Sequence, residues 1–265
     1  MANIPQGRKP KQTERGRWGR QRERVSMTPS YQRIGNQHFL YDSGILENIA
    51  PEDFEPDALR EAGKIQGEAQ GRGSVYFISS ERHRFVLRHY KRGGLISKLI
   101  TDHYFWTGLT RTRPWREWHL LRMMYENGLP VPRPVAARVV KSGWTYTADL
   151  LTMTLTDCVS LAECIKEKAL TKEILLKTGK VIRDFHEHHI YHADLNAHNI
   201  LINNTGCVYL IDFDQGARKT GENWKEANLA RLHRSLTKLD REAGGGNFSK
   251  ENWRDLVSGY IKIVV

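Results

Sequence analysis

The segment at residues 189–216, HIYHADLNAHNILINNTGCVYLIDFDQG, places polar side chains at fixed positions around two short apolar runs. Asp194 and Asn199 precede the first run, and Asp212 follows the second. A carboxylate can orient an attacking hydroxyl, and carboxylate and amide oxygens are the ligands that Mg²⁺ prefers. The segment therefore predicts phosphoryl-transfer chemistry, with Asp194 as the base and with Asn199 and Asp212 as magnesium ligands.

These residues also resemble the motifs of a known fold family. The run HADLNAHN at 192–199 is similar to the HxDxxxxN catalytic loop of protein-kinase-like enzymes, and IDFD at 211–214 is similar to their DFG element. Both occur in the order that the family shows. The resemblance implies an α+β, bilobal protein-kinase-like fold with an antiparallel-sheet N-lobe and a helical C-lobe. It also implies ATP and Mg²⁺ as cofactors.

Departures from the protein-kinase pattern favour a small-molecule acceptor over a peptide. Asn196 stands where kinases that act on Ser or Thr usually carry lysine, and no A-P-E motif follows Asp212. The chain between Asp212 and the helix predicted near Trp224 is too short for a long activation segment. Asp214 replaces the glycine of DFG, and two interpretations stay open for it: an acid near the metal, or a turn residue.

A second set of candidates lies upstream. In the strand-like run FVLR, Arg88 stands where the fold has its phosphate-pairing lysine, and the resemblance implies Glu117 as its partner. The alternative is a solvated strand arginine with a glutamate on a helix surface, and Lys91 is the other candidate for the cation. Gly71 and Gly73 retain only the end of a glycine-rich loop, whose N–H groups would cover the phosphates.

The pattern along the chain divides it into three parts. Residues 1–30 are basic and almost free of apolar residues, which predicts a disordered tail. Strand-like runs predict that residues 31–151 form a sheet, interrupted by an insert at 93–114. Residues 152–265 are predicted to be mostly helical and to carry the catalytic and metal-binding loops, after a hinge near 151–156. Strands followed by helices indicate an α+β protein.

Six sequence runs spread along the chain narrow the resemblance to one group of kinases. The runs FVLRHYKRGGL, LPVPRPVAARV, YTADLL, YHADLNAHNILI, IDFDQG and NLARLHRSLTKL resemble the Kdo kinases, which phosphorylate 3-deoxy-D-manno-octulosonic acid (Kdo) on a lipid A precursor. The resemblance covers roughly residues 67–240 and implies a Kdo-lipid A precursor as partner. A kinase of a lipopolysaccharide core heptose is the alternative. A pseudokinase or nucleic-acid-binding adaptor is a third reading, but retention of Asp194, Asn199 and Asp212 argues against it, and no nucleic-acid partner is expected.

The net charge of +11 favours an anionic partner, and no apolar run is long enough to span a bilayer. With a lipid-anchored acceptor, these features predict a peripheral protein on the cytoplasmic side of the bacterial inner membrane. The insert and its flank mix apolar side chains with Arg111, Arg113 and Arg116, which suits an interfacial segment. The alternative, favoured for most of those apolar side chains, is packing against the helix that contains Trp115.

Other polar residues near the motifs receive structural interpretations. Arg231 and Arg234 are interpreted as solvated or paired with acids, in preference to binding a phosphate or carboxylate of the substrate. The histidines around the catalytic loop are interpreted as helix-end and loop residues in preference to a metal site. They are His186, His188, His189 and His192.

Overall fold

The computed structural model of the chain describes residues 26–70, 74–91 and 102–261. Within these residues, the first part of the chain forms an eight-stranded antiparallel sheet. The strands are β1 (Pro29–Ile34), β2 (Gln37–Asp42), β3 (Ile65–Gln70), β4 (Ser74–Ser79), β5 (Arg84–His89), β6 (Tyr104–Phe105), β7 (Pro134–Ser142) and β8 (Thr145–Met153). Their order in the sheet is β1-β2-β7-β8-β5-β4-β3, with β6 paired to β8. A short helix, α1 (Pro56–Glu61), precedes β3.

Alternation along β5 decides which of its side chains face the candidate site. Phe85 and Leu87 are buried in a cluster with Phe54, on the face of the sheet that α1 covers. Arg88 and Tyr90 have the opposite parity, so they lie on the other face of the sheet. This parity brings the predicted cation Arg88 to the side where the next helix packs.

Helix α2 (Arg113–Glu126) packs across β7 and β8 on that face. Pro114 occupies its first turn, where a missing N–H leaves no hydrogen bond unmade. Glu117 lies on the buried side of the helix with only 2% of its side chain exposed, which for a carboxylate requires a partner. The helix ends before Asn127-Gly128, as the sequence predicted, and Gly128 takes a φ of 76°. The apolar residues of the buried face are Trp115, Trp118, Leu121 and Met124.

The second part of the chain consists mainly of helices, with short strands between them. The helices are α3 (Leu161–Lys166), α4 (Lys172–Glu187), α5 (Asn223–Glu242) and α6 (Lys250–Tyr260). The strands are β9 (Cys158–Ser160), β10 (Ile190–Tyr191), β11 (Ile200–Asn203), β12 (Val208–Leu210) and β13 (Ala217–Arg218). One buried cluster includes Trp118 of α2 together with Leu195 and Phe213 of the predicted motifs, so the two parts share a hydrophobic core.

Helices α4 and α6 touch through two glycines. A Cβ on Gly179 would lie 1.9 Å from the carbonyl oxygen of Leu256, and one on Gly259 would lie 2.0 Å from that of Leu176. Neither position has room for a side chain, so both helices need glycine at the crossing. The contact places the last residues of α6 against the first half of α4, and from there the Tyr260 hydroxyl reaches His186 near the end of α4.

The boundaries differ in places from those predicted. Met27 is buried and β1 begins at Pro29, so the last residues assigned to the tail belong to the sheet; the pattern missed β1 because the strand is largely polar and half-exposed. Residues 1–25 lie outside the described residues. Strand β8 continues past residue 151 to Met153. Residues 92–101 of the insert region are also outside, and its last two residues already belong to α2.

Candidate active site

The loop that follows β10 is held by a buried histidine. The backbone N–H of Asp194 donates to Nδ1 of His192 at 3.1 Å, so this nitrogen must be the acceptor. The other ring nitrogen, Nε2, then carries the proton and donates to the carbonyl of Ile211 at 2.9 Å. Burial lowers the pKa of His192, which favours this neutral form. One imidazole therefore joins the HADLNAHN loop to the residue before Asp212.

Asn196, which stands in place of the usual lysine, is used to shape the loop. Its Oδ1 accepts from the N–H groups of His198 and Asn199 at 2.9 and 3.3 Å, and its Nδ2 donates to the carbonyl of Asp194 at 3.0 Å. The side chain thus caps the 3-10 turn Ala197–Asn199. Asn196 supplies no positive charge to the site.

Asn199 and Asp212 are brought together by a backbone hydrogen bond. The N–H of Ile211 donates to the carbonyl of Asn199 at 3.1 Å, which places Asp212 directly beside that residue. Nδ2 of Asn199 donates to the carbonyl of Asp194 at 3.0 Å, so Oδ1 is the amide atom left to bind a cation. Amide and carboxylate oxygens fit Mg²⁺, which commonly takes one or two protein ligands together with substrate phosphates. The residues present therefore suit the predicted ion.

Arg88 lies at the centre of a cluster of polar and charged side chains, of which Glu117 and Tyr90 are buried. Its Nη2 contacts Oε2 of Glu117 at 2.5 Å and the hydroxyl of Tyr90 at 3.1 Å, and its Nη1 forms an ion pair with Asp212. The Tyr90 hydroxyl also donates to Glu117 at 2.5 Å. Burial raises the pKa of Glu117, and the guanidinium opposes that shift. Burial alone would lower the pKa of Arg88, but Glu117, Tyr90 and Asp212 together raise it well above its usual range.

Asp214, the residue in place of the DFG glycine, is bound by Arg113. Nε of Arg113 contacts Oδ1 of Asp214 at 2.7 Å, and Nη2 pairs with Oδ2, so the ion pair is bidentate. The guanidinium also donates to the Tyr104 hydroxyl at 2.9 Å. Asp214 therefore connects the turn after Asp212 to the first residue of α2.

Asp194 forms an ion pair with an arginine of α5. Nη2 of Arg231, on α5, forms an ion pair with Oδ1 of Asp194. Both side chains remain accessible, with 46% of Arg231 and 35% of Asp194 exposed. This contact agrees with the prediction that Arg231 pairs with an acid, but the acid is the candidate catalytic base.

Comparison with known proteins identifies the family. The sequence profile of the lipopolysaccharide kinase (Kdo/WaaP) family matches residues 57–260. The chain belongs to this family. Proteins named 3-deoxy-D-manno-octulosonic acid kinase are similar to it over most of their length. One from Photobacterium profundum is 40% identical over 227 residues, which cover 85% of this chain and 95% of the relative.

Two further relatives with the same name show comparable similarity. A protein from Haemophilus influenzae is 41% identical over 235 residues, covering 85% of this chain and 96% of the relative. A protein from Vibrio cholerae is 39% identical over 202 residues, covering 76% of this chain and 86% of the relative. The chain is therefore a kinase of the lipopolysaccharide kinase family, a phosphotransferase with an alcohol group as acceptor.

Behind the HADLNAHN loop of this kinase lies a series of hydrogen bonds between side chains of α4, α5 and α6. Nδ2 of Asn228, on α5, donates to the carbonyl of His192 at 2.7 Å. His186 Nε2 lies 3.2 Å from Oδ1 of Asn228 and donates to it, while Nδ1 of His186 accepts from the Tyr260 hydroxyl at 2.9 Å. Burial lowers the pKa of His186 to about 4. These hydrogen bonds tie the ends of α4 and α6 to the loop that carries Asp194.

The other histidines of that region have separate surroundings. Nδ1 of His188 lies 2.7 Å from the carbonyl of Asp184, and the N–H of Lys219 donates to the carbonyl of His189 at 2.9 Å. The part of the chain that the structure describes contains no group of three or more His, Cys, Asp or Glu side chains placed to hold a metal.

The structure of the kinase brings most of the predicted site residues to one place. Around Asp212 lie Arg88, Glu117 and Asn199, and Asp194 is linked to Asn199 through its carbonyl. Lys91, the alternative cation, is exposed just after the end of β5. Gly71 and Gly73 lie outside the described residues.

Sequence reasoning missed several polar residues that complete the site. They are Tyr90, Arg113 and Asn228, which bind Glu117, Asp214 and the His192 carbonyl respectively. Arg113 was assigned to a cationic membrane-facing group, yet only a quarter of its side chain is exposed. A usable signal was present for Tyr90, because it follows Arg88 at the strand spacing that puts both residues on one face.

Proposed function

We propose that this kinase transfers the γ-phosphoryl group of ATP to a hydroxyl of Kdo on a Kdo-lipid A precursor, in lipopolysaccharide biosynthesis. The relatives named Kdo kinases support the acceptor, since they match nearly their whole length at about 40% identity. The observation that carries the chemistry is the grouping of Asp194, Asn199 and Asp212 beside the Arg88–Glu117 pair. ATP binding follows from membership of a kinase family.

We infer further that the sheet and the helical part are the two lobes of a protein-kinase-like fold, with ATP between them. Support comes from the motifs at 192–199 and 211–214, and from Arg88 on the sheet meeting Asp212 in the helical part. In that contact, Arg88 neutralises the Asp212 carboxylate. When nucleotide binds, the phosphates offer Arg88 another anion, which would leave the Asp212 carboxylate for a cation.

In the proposed reaction, an acceptor hydroxyl oxygen forms a bond to the γ-phosphorus as the bond from that phosphorus to the β–γ bridging oxygen breaks. ADP leaves with the electron pair of that bond, and the hydroxyl proton moves to a carboxylate oxygen of Asp194. Asn199 and Asp212 would hold Mg²⁺, which supplies charge neutralisation at the phosphates. Arg88, fixed by Glu117 and Tyr90, would bind phosphate oxygens and orient the γ-phosphoryl group.

The direct test is turnover by the purified full chain with ATP and Mg²⁺. Three acceptors are compared: a lipid A precursor that carries one Kdo, a core fragment that ends in heptose, and a generic protein substrate. We expect a phosphorylated Kdo product and no transfer to protein, since Asn196 and the missing A-P-E motif leave no peptide site of the protein-kinase type. Transfer to heptose alone would assign the chain to the other branch of the family.

We also propose that the enzyme works as a peripheral protein at the cytoplasmic surface of the inner membrane, where such an acceptor is anchored. No helix among the described residues combines the length and apolar character that a bilayer span needs. Trp144, in the turn between β7 and β8, is 86% exposed, and Phe105 on the neighbouring β6 is 71% exposed. Arg111 and Arg116, which come soon after Phe105 in the chain, are also exposed. Aromatic and cationic groups are therefore both available for a membrane interface.

Vesicle sedimentation tests this surface. Trp144→Ser and the pair Arg111→Ala/Arg116→Ala should both reduce binding to anionic vesicles, and the loss from the arginine pair should shrink at high salt. Phe77→Ser, which removes an aromatic residue that is 39% exposed on β4, is the matched control. A form that lacks residues 1–25 measures the contribution of the tail. Equal recovery of all forms on anionic and zwitterionic vesicles would reject the membrane proposal and leave the kinase assignment intact.

A further inference from the structure

The contact between Arg231 and Asp194 lies on an accessible side of the site. One Nη atom of Arg231 holds one carboxylate oxygen of Asp194, and nearly half of the arginine side chain remains exposed. A guanidinium has five N–H donors in a planar arrangement, so a single contact leaves most of them available. Arg231 can therefore hold Asp194 and bind a second anion at the same time.

The catalytic loop itself does not supply this charge. Asn196 occupies the position where protein kinases have lysine, and its amide is consumed by contacts to Asp194, His198 and Asn199. Arg88 already contacts Glu117, Tyr90 and Asp212. Arg231 instead extends from α5 and places its positive charge beside Asp194. If Asp194 is the base, the acceptor hydroxyl must also lie beside Asp194.

We propose that Arg231 is a specificity-determining residue that binds the carboxylate of a sugar-acid acceptor while it remains beside Asp194. The proposal rests on the proposed function, because it takes Kdo as the acceptor. A sugar acid is an anion, and a planar guanidinium matches a carboxylate through two parallel hydrogen bonds. Held in this way, the acceptor is fixed at its acid group and presents a ring hydroxyl to Asp194.

This arrangement also explains how the site would reject neutral sugars. A heptose without a carboxylate leaves the guanidinium with Asp194 alone, so nothing positions its hydroxyl against the base. Selection then depends on charge rather than on ring size. Arg231 would therefore contribute to binding and orienting the acceptor. The affinity for ATP, which we assign to Arg88, should not depend on Arg231.

The experiment combines a change in the enzyme with a change in the acceptor. Acceptor KM, ATP KM and kcat are measured with the Kdo-bearing lipid A precursor in detergent micelles, and with the same lipid after its Kdo carboxyl is converted to the methyl ester. For the wild-type chain, we expect the ester to lower kcat/KM by about 10- to 100-fold, the range for losing a charged hydrogen-bonded pair. Arg231→Gln should lower kcat/KM for the acid acceptor by a similar factor and leave the KM for ATP unchanged. In this variant, kcat/KM should be the same for the acid and the ester.

Two further variants sharpen the outcome. Arg231→Lys keeps the charge without the planar arrangement and should recover part of the preference for the acid. Arg234→Gln, which alters an exposed arginine on the same helix, should retain the wild-type preference. An active wild type whose preference for acid over ester survives Arg231→Gln would overturn the assignment of Arg231 alone. A wild type that is inactive on the Kdo acceptor would overturn the proposed function and this assignment with it.

Discussion

Arg113 binds both carboxylate oxygens of Asp214 and thereby joins the start of α2 to the turn that follows Asp212. The same helix carries Glu117, which binds Arg88, and Arg88 in turn pairs with Asp212. The contacts close a ring through α2 and the IDFD segment. Because every link is an ion pair or a rigid helix, the position of α2 and the position of Asp212 depend on each other. The aspartate in place of the DFG glycine is thus one end of a structural link.

Breaking that link should lower kcat, although neither Arg113 nor Asp214 is proposed to contact the phosphates of ATP. We expect Arg113→Gln to reduce kcat by about tenfold, as is typical for losing 1–2 kcal/mol of coupling between neighbouring groups. Asp214→Asn should have a similar effect, and the double variant should be no worse than either single one. Arg116→Gln, on the exposed side of α2, is the control. Additive losses in the double variant would show that the two residues act separately.

Replacing the candidate base should separate chemistry from binding. Asp194→Asn keeps the size of the side chain but cannot accept the hydroxyl proton, so we expect turnover to fall by about two to four orders of magnitude. ATP binding, measured by calorimetry, and the thermal unfolding midpoint should stay close to wild type, because the Asp194 side chain is partly exposed. Turnover near the wild-type level would remove Asp194 from the mechanism.

Removing the candidate metal ligand should act on nucleotide binding instead. Asp212→Ala leaves phosphate charge uncompensated and frees Arg88, so the Mg²⁺ concentration needed for half-maximal activity should rise by about tenfold or more. Titration of Mg²⁺ at fixed ATP measures this shift. Asn199→Ala should move the same titration in the same direction. A Mg²⁺ dependence identical to wild type in both variants would contradict the ligand assignment.

We expect Arg88 to have two separable roles, one in stability and one in ATP binding. Arg88→Ala leaves the buried Glu117 carboxylate without its cation, which should cost about 3 kcal/mol of unfolding free energy and raise the KM for ATP. Arg88→Lys should recover part of both. The double variant Arg88→Met/Glu117→Leu replaces the pair with apolar groups, so it should regain stability but not ATP affinity. Recovered affinity in that variant would transfer the phosphate-binding role to Lys91.

The buried His186 makes stability depend on pH. Its pKa in the folded protein is about 4, below the ordinary value of 6.5, because burial disfavours the charged ring. Between about pH 4 and pH 6.5 the unfolded chain therefore binds a proton at His186 that the folded chain does not. The contribution of His186 to the free energy of unfolding is full above about pH 6.5, falls as the pH drops toward about 4, and then levels off.

Urea unfolding at pH 7.5 and pH 5 measures the effect against a variant. We expect the wild type to lose about 2 kcal/mol more between these two pH values than His186→Gln does, since glutamine does not titrate. Comparing the variant with wild type cancels the other histidines, including His89, whose pKa is raised by the Asp149 carboxylate and which acts in the opposite direction. His188→Gln, at an exposed position, should keep the wild-type dependence. Equal losses in wild type and His186→Gln would contradict the role of this ring.

Much of the local structure followed from the sequence alone. The strands around Phe85, the end of α2 at Asn127-Gly128 and the start of α5 near Trp224 were predicted, because periodicity and turn residues are local signals. The spacing of Asp194, Asn199 and Asp212 is also local: a short loop and a hairpin constrain where the three side chains can lie. The polar edge strand β1 escaped prediction because its residues are half-exposed and lack an apolar pattern.

The family resemblance implied the Arg88–Glu117 pair, but the other partners of the charged residues were decided only by the tertiary structure. Arg88 and Asp212 are separated by 124 positions in the chain, Arg113 and Asp214 by 101, and Arg231 and Asp194 by 37. A sequence pattern gives the face of a strand or helix on which an arginine lies, but not which of several carboxylates that face will meet. That choice depends on how α2 and α5 pack against the sheet and the HADLNAHN loop. Burial makes a pairing obligatory only where a charge would otherwise be left without a partner, as for Glu117, whereas Arg231 and Asp194 both remain partly exposed.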